Sequence, residues 1–195
     1  KFLNKEKILP WWSPIKQIKL SLLITPFCIK KCGYCSFYSE TNLAENLNKY
    51  YKTLLEEISI IKHTHTIKPY TVYFGGGTPS QLEPDLLAEI IGEIRTQFLV
   101  CNDAEITCEA NPESFTRDLA KIWKQAGVNR VSLGVQSLDS NVLKTLGRKC
   151  NPETAREALE LATSEFDNVS ADWILAHGCT IDQLKSAFSE AAQLG

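Results

Sequence analysis

Five short apolar runs, each followed by a stretch of helical periodicity, constrain this chain more than any other feature. "KLSLLIT" (19–25), "YTVYF" (70–74), "AEITCEA" (104–110), "RVSLGV" (130–135) and "NVSADWIL" (168–175) read as strands. Between them, Leu43, Leu47, Tyr51, Leu54, Leu55, Ile58 and Ile61 form one helical face. Leu86, Leu87, Ile90, Ile91, Ile94 and Phe98 form another. Asn42 with Glu45 predicts an N-cap, and Ala126-Gly127 predicts a helix stop. Further helices are predicted around 139–146, 152–164 and 181–194. Strand then helix, repeated, implies parallel strands, because each helical crossover returns the chain to start the next strand in the same direction. The nearly continuous apolar runs predict strands covered on both faces. An open Rossmann-type sheet and a partial barrel both satisfy this pattern, and both place ligands at the carboxyl ends of the strands.

That rim is where the unusual residues fall. Cys28, Cys32 and Cys35 follow the first strand in "PFCIKKCGYCSFY", and Gly75-Gly76-Gly77-Thr78-Pro79 follow the second. Glu109 closes the third strand, Gln136 closes the fourth, and Asp172 lies in the later half of the fifth. Such recurrence indicates one site. No Lys-Ser or Lys-Thr follows the glycines, so they are not a phosphate-binding P-loop; a glycine run at a strand end lets backbone approach a ligand closely.

With 195 residues and 44% hydrophobic content, the chain is expected to form one domain with a sizeable core. A formal charge of -2 gives no basic surface for nucleic acid. No apolar run has the length to span a bilayer, and "KFLNKEKILPWWSPIKQ" lacks the apolar stretch of an export signal. Seven cysteines without such a signal argue against a disulfide framework and for a reducing cytoplasm. Cys108 and Trp123 read as core, and His63 and His65 as a solvated connection. The chain has no methionine, and its closing helix runs up to Gly195, so more protein is expected beyond it.

Three thiols within eight positions serve in such a chain as metal ligands or a redox pair. Zinc would need a fourth ligand from His63, His65 or Cys101, all distant in sequence. A redox pair needs only two. A four-iron cluster normally takes four thiolates, so three leave one iron open for an exchangeable ligand.

The spacing C-x3-C-x2-C, with aromatic Tyr34 before the last cysteine, resembles the radical S-adenosylmethionine (SAM) superfamily. In that superfamily the open iron is bound by the amino and carboxylate groups of SAM. An electron from the cluster breaks a carbon–sulfur bond, giving methionine and a 5′-deoxyadenosyl radical. "PFCIKKCGYCSFYS", "YFGGGTPS", "EITCEANPE", "GVNRVSLGVQSLD", "LGR" and "SADWIL" follow the order of the oxygen-independent coproporphyrinogen III oxidase group, which includes the HemW-like heme chaperones. The resemblance covers roughly residues 18–195.

This resemblance implies an α/β fold: a partial (β/α) barrel of parallel strands with outer helices, one radical SAM core domain over residues 1–195, incomplete at its C-terminus. It implies a 4Fe-4S cluster on Cys28, Cys32 and Cys35, and SAM against Tyr34, Gly76, Gly77, Thr78, Glu109, Gln136, Arg148 and Asp172. Gly76, Gly77 and Thr78 would meet the methionine end of SAM. Carboxylates and amides suit a ribose diol, and an arginine suits a carboxylate. Arg148 has a second reading, as a helix-terminal residue that satisfies backbone carbonyls. No catalytic residue is assigned. Relatives carry tyrosine and histidine where Leu22 and Ile24 stand here, and "AHGCT" (176–180) replaces a Pro-Gly loop, which alters the rim near His177.

Two functions of different kind follow from the resemblance. One is a heme chaperone that keeps the cluster and SAM site and hands heme to an acceptor protein. The other is an oxidase that decarboxylates the propionate chains of coproporphyrinogen III. Oxidases of the group carry another cysteine two residues after the third ligand, where this chain has Phe37, so the chaperone is favoured. A radical SAM enzyme with another substrate is a third reading, against which the series from "EANPE" to "LGR" argues. The partners implied are heme or a porphyrinogen, and an electron donor such as flavodoxin or ferredoxin.

Overall fold

The computed structural model describes residues 20–41, 43–64, 68–175 and 179–194. Its elements are β1 (Leu20–Thr25), α1 (Leu43–Thr64), β2 (Thr71–Gly76), α2 (Pro84–Gln97), β3 (Glu105–Ala110) and α3 (Arg117–Ala126). They continue with β4 (Arg130–Gln136), α4 (Ser140–Thr145), α5 (Pro152–Glu165), β5 (Val169–Trp173) and α6 (Ile181–Gln193). All five apolar runs form strands, the last shortened at both ends. The Asn42 cap, Trp11, Trp12, His65 and His177 lie outside the described residues, as do the side chains of Leu22 and Ile24. His63 stands exposed in the last turn of α1 rather than in a connection.

Every neighbouring pair of strands is parallel, and the spatial order is β1-β2-β3-β4-β5. That order separates the two architectures the sequence allows. A Rossmann-type sheet reverses direction part-way, whereas here each crossover steps to the next strand in one direction. Crossovers of one hand that never reverse put every helix on the same face. The fold is a partial (β/α) barrel with outer helices.

The core lies between the strands and those helices. Val72, Phe74, Ile106, Cys108, Val131, Leu133 and Val135 occupy alternate strand positions and are buried. They form one cluster with Leu87, Ile90, Ile91, Leu119, Ala155, Leu159 and Trp123, the last fully buried. Local chemistry fixes the helix ends. Thr116 accepts the Leu119 N–H, Asn151 accepts the Thr154 N–H, and Thr180 with Gln183 makes a reciprocal capping box. Gly127 closes α3 in the left-handed region, where the stop was predicted.

The opposite strand face corrects the expectation of apolar cover on both sides. Tyr73, Thr107, Glu109, Arg130, Ser132, Ser170 and Asp172 alternate with the core residues and point inward. They satisfy one another: Arg130 donates to Thr107 Oγ1 at 3.3 Å and to Ser170 Oγ at 3.0 Å. Ser170 donates to Ser132, and Ser132 donates to Asp172 Oδ2 at 3.2 Å. A polar lining is stable only because these groups are paired. At the β5 edge, Trp173 meets Phe188 edge to face at 5.2 Å. No helix among the described residues is long and apolar enough to cross a membrane.

Candidate functional site

The cysteine loop joins β1 to α1 and is pinched at its base. Cys28 N–H donates to Glu40 O at 3.0 Å, and Glu40 N–H donates to Pro26 O at 2.7 Å. Phe27, 2% exposed, anchors that base against Tyr50 at 5.3 Å, ring edge to ring face. The glycine segment is stitched to the same place: Gly77 N–H donates to Thr25 O, and Thr78 N–H to Phe27 O at 2.8 Å. A Cβ on Gly77 would fall 2.5 Å from Phe27 O, so no other residue fits without moving the backbone. The two loops therefore form one unit at the carboxyl ends of β1 and β2.

Cys28, Cys32 and Cys35 are free, half-buried, and line one cavity of about 340 Å³. Cys35 N–H donates to Cys32 O at 3.1 Å, a tight turn that links the second and third cysteines. Donors face two of the sulfurs. Thr78 Oγ1 donates to Cys28 Sγ at 3.5 Å, and Arg148 Nη1 to Cys32 Sγ at 3.9 Å. Among the described residues, no three of His, Cys, Asp and Glu stand close enough to hold a single metal ion, and neither His63 nor Cys101 lines the cavity. Soft thiols spread around a cavity, with hydrogen-bond donors on their sulfurs, fit an iron–sulfur cube. They do not fit a closed zinc site.

The other expected residues meet at this cavity. Gly76, Gly77, Thr78, Glu109, Asp172, Gln136, Arg148 and Tyr34 all line it. Gly76 takes φ 105, a left-handed conformation that only glycine adopts freely, and its N–H donates to Glu109 Oε2 at 3.1 Å. Gln136 is the one non-glycine residue with positive φ among the described residues, at 65. It sits where the β4–β5 register shifts, and a held left-handed residue beside a cavity marks a functional constraint. Tyr34 is 39% exposed, and burial pushes its phenol up to about 12.

Arg148 has a definite environment. Its side chain is 4% exposed and pairs with Glu113 Oε2 at 3.2 Å. Both terminal nitrogens donate to Asn111 Oδ1 at 3.1 Å, and Nη2 also donates to Gly134 O at 3.1 Å. The carbonyl it satisfies belongs to β4, not to the helix it follows. Burial alone would lower the guanidinium pKa, but Glu113 and the groups around it raise it on balance. Its Nε is buried without a hydrogen-bond partner. Arg148 is thus a brace between strand ends and the cysteine loop.

Sequence reasoning missed Asn111, Tyr73, Ser132 and Glu113. Asn111 joins the two halves of the wall, accepting from Arg148 and donating to Thr78 Oγ1 at 3.1 Å. Its signal was present in "EANPE", where an asparagine before proline ends a strand beside an assigned glutamate. Tyr73 and Ser132 had none, since each looks like an ordinary strand residue until its neighbouring strand is known.

Comparison with known proteins agrees with this geometry. The family model described as the radical SAM superfamily matches residues 22–191. The heme chaperone HemW of Escherichia coli is 35% identical over 182 residues, covering 92% of this chain and 48% of the relative. The heme chaperone HemW of Buchnera aphidicola (Schizaphis graminum) is 37% identical over 155 residues, 77% of this chain and 39% of the relative. The chain thus spans about half the length, or less, of the curated relatives it matches. Among solved structures, coproporphyrinogen III oxidase (HemN) from Escherichia coli superposes with a TM-score of 0.81 at 26% identity, covering 94% of this chain and 43% of that one. That family implies a 4Fe-4S cluster and SAM. The chain belongs to the radical SAM superfamily and stands with HemW and HemN within it.

Proposed function

We propose that residues 1–195 are the cluster- and SAM-binding core of a HemW-like heme chaperone. The observation that carries this reading is Phe37. It takes the position where oxidases of the group have a further cysteine, and it is 65% exposed on the rim of the cavity. Ile29 and Tyr38, in the same loop, are 57% and 69% exposed. Exposed rings there offer the flat apolar surface on which a porphyrin face stacks. The relatives named heme chaperones support the same reading.

Cys28, Cys32 and Cys35 would hold the cluster, and Gly76, Gly77 and Thr78 the methionine end of SAM. Glu109, Gln136 and Asp172 would accept and donate hydrogen bonds at its ribose, with Tyr34 and Arg148 closing the sides. Cluster and SAM together supply one-electron chemistry; the chain's own part is to bind, orient and keep out water. Exposed Lys30 and Lys31 on the cavity rim suit an acidic electron donor such as flavodoxin or ferredoxin. Seven free cysteines support a reducing cytoplasm, where a heme-acceptor protein would meet the chain.

The fold similarity to HemN favours a second reading, an oxidase acting on coproporphyrinogen III. One preparation decides between them. The chain is reconstituted anaerobically with iron and sulfide, then titrated with heme and assayed for 5′-deoxyadenosine release and decarboxylation. Heme binding without decarboxylation is the expected result. Decarboxylation at catalytic rates would overturn the chaperone reading.

A further inference from the structure

Glu109 is held from a neighbouring strand. Tyr73 of β2 pairs in register with Thr107 of β3, so it lies diagonal to Glu109, two residues further along the same face. The Tyr73 hydroxyl donates to Glu109 Oε1 at 2.6 Å. The second oxygen, Oε2, accepts the Gly76 N–H at 3.1 Å. Gly75 leaves the space in which these groups meet. A Cβ there would lie 2.7 Å from the Tyr73 ring, and 2.9 Å from both the carboxyl carbon and Oε2 of Glu109. Burial, and then the bond to Glu109, push the Tyr73 pKa above its ordinary range, so the phenol keeps its proton and remains a donor.

A carboxylate tied once at each oxygen has a fixed plane, and each oxygen keeps a second acceptor direction. Two fixed acceptors side by side match a ligand with two adjacent hydroxyls. Glu109 lines the cavity, whereas Tyr73 does not, so Tyr73 reaches a ligand only through Glu109. Orienting the carboxylate beforehand removes an ordering cost that binding would otherwise carry.

We infer that Tyr73 is a positioning residue: through Glu109, and in the space left by Gly75, it sets the affinity of the cavity for the ribose diol of SAM. The inference rests on the SAM reading of the site given above.

The test uses the reconstituted chain and the variants Tyr73→Phe, Gly75→Ala, Glu109→Gln and the double variant Tyr73→Phe/Glu109→Gln. Equilibrium dialysis with radiolabelled SAM gives affinity, and the electron paramagnetic resonance spectrum of the reduced cluster, with and without SAM, gives an independent readout. Tyr73→Phe and Gly75→Ala are expected to retain full iron and sulfide but to bind SAM about tenfold more weakly, the weight of one hydrogen bond to a charged group. The double variant is expected to bind no more weakly than Glu109→Gln alone, because residues acting in series are not additive. Unchanged affinity in Tyr73→Phe, or losses that add in the double variant, would overturn the inference while leaving the SAM reading intact. Should Tyr73→Phe lose its iron, Gly75→Ala alone and combined with Glu109→Gln carry the same comparison. An unaltered chain that carries a full cluster and binds no SAM would defeat the site reading, and the inference with it.

Discussion

Arg148 directs both terminal nitrogens at a single atom, Oδ1 of Asn111, each at 3.1 Å. The same side chain reaches Glu113, the Gly134 carbonyl and Cys32 Sγ, so one guanidinium ties β4 and the end of β3 to the cysteine loop. Lysine has neither the planar fork nor the number of donors to do this. Arg148→Lys is therefore expected to leave Asn111 and Glu113 poorly satisfied and to destabilise the fold by about 1–3 kcal/mol. Denaturant unfolding of the apo chain measures the loss. Iron content after reconstitution shows whether the cysteine loop has loosened as well.

Thr78 is 3% exposed and stands between Asn111 and Cys28. A hydrogen bond to a cluster sulfur draws electron density away from the metal and raises the reduction potential. Thr78→Val keeps the volume but removes that donor. A potentiometric titration followed by electron paramagnetic resonance is expected to show a lower cluster potential. An equal or higher value would mean that the hydroxyl does not act on the sulfur.

The seven cysteines fall into separate classes. Replacing Cys28, Cys32 or Cys35 singly with serine is expected to abolish the brown chromophore and most bound iron, whereas Cys101→Ser leaves both intact. Iron and sulfide analysis of the four variants checks this. A cluster that survives loss of any one of the three would remove the basis of the assignment.

Buried thiols predict a pH dependence. Burial is the main cause that raises Cys150 from 9.0 to about 11 and puts Cys108 well above its ordinary value. The thiolate is the nucleophile, so native alkylation at pH 8 is expected to label partly exposed Cys101 and Cys179 before either buried thiol. The sign for stability follows from linkage. A folded-state pKa above the unfolded one stabilises fully below the unfolded value, and that contribution is lost as pH rises through the folded value. For Cys150 the loss falls between about pH 9 and 11. Cys150→Ala should flatten that part of the pH–stability curve.

Trp123 is fully buried on α3, with Phe115 at 6.0 Å. Trp123→Ala is expected to cost about 3–5 kcal/mol through lost transfer energy and a cavity. That is a large share of the stability of an ordinary domain. Urea unfolding would register it as a lower midpoint with little change in slope.

Much of this molecule was legible in one dimension. Strand and helix periods depend on residues a few positions apart, so "YTVYF", the α2 face and the Gly127 stop could be read directly. The eleven expected site residues, from Cys28 to Asp172, surround one cavity because all but Arg148, which follows α4, lie at or just beyond the end of a strand, and parallel strands bring such positions to a common rim. Tertiary structure decided the rest. Strand order without reversal chose the partial barrel, which local periodicity does not encode. The polar inner face depends on which strands adjoin, since Arg130 finds Thr107 on β3 and Ser170 on β5, and Ser132 of β4 finds Asp172 on β5. Tyr73 meets Glu109 across 36 residues, and Asn111 meets Arg148 across 37. A sequence states which side chains can donate and accept. Only the packing of strand against strand determines which of them come within hydrogen-bond reach.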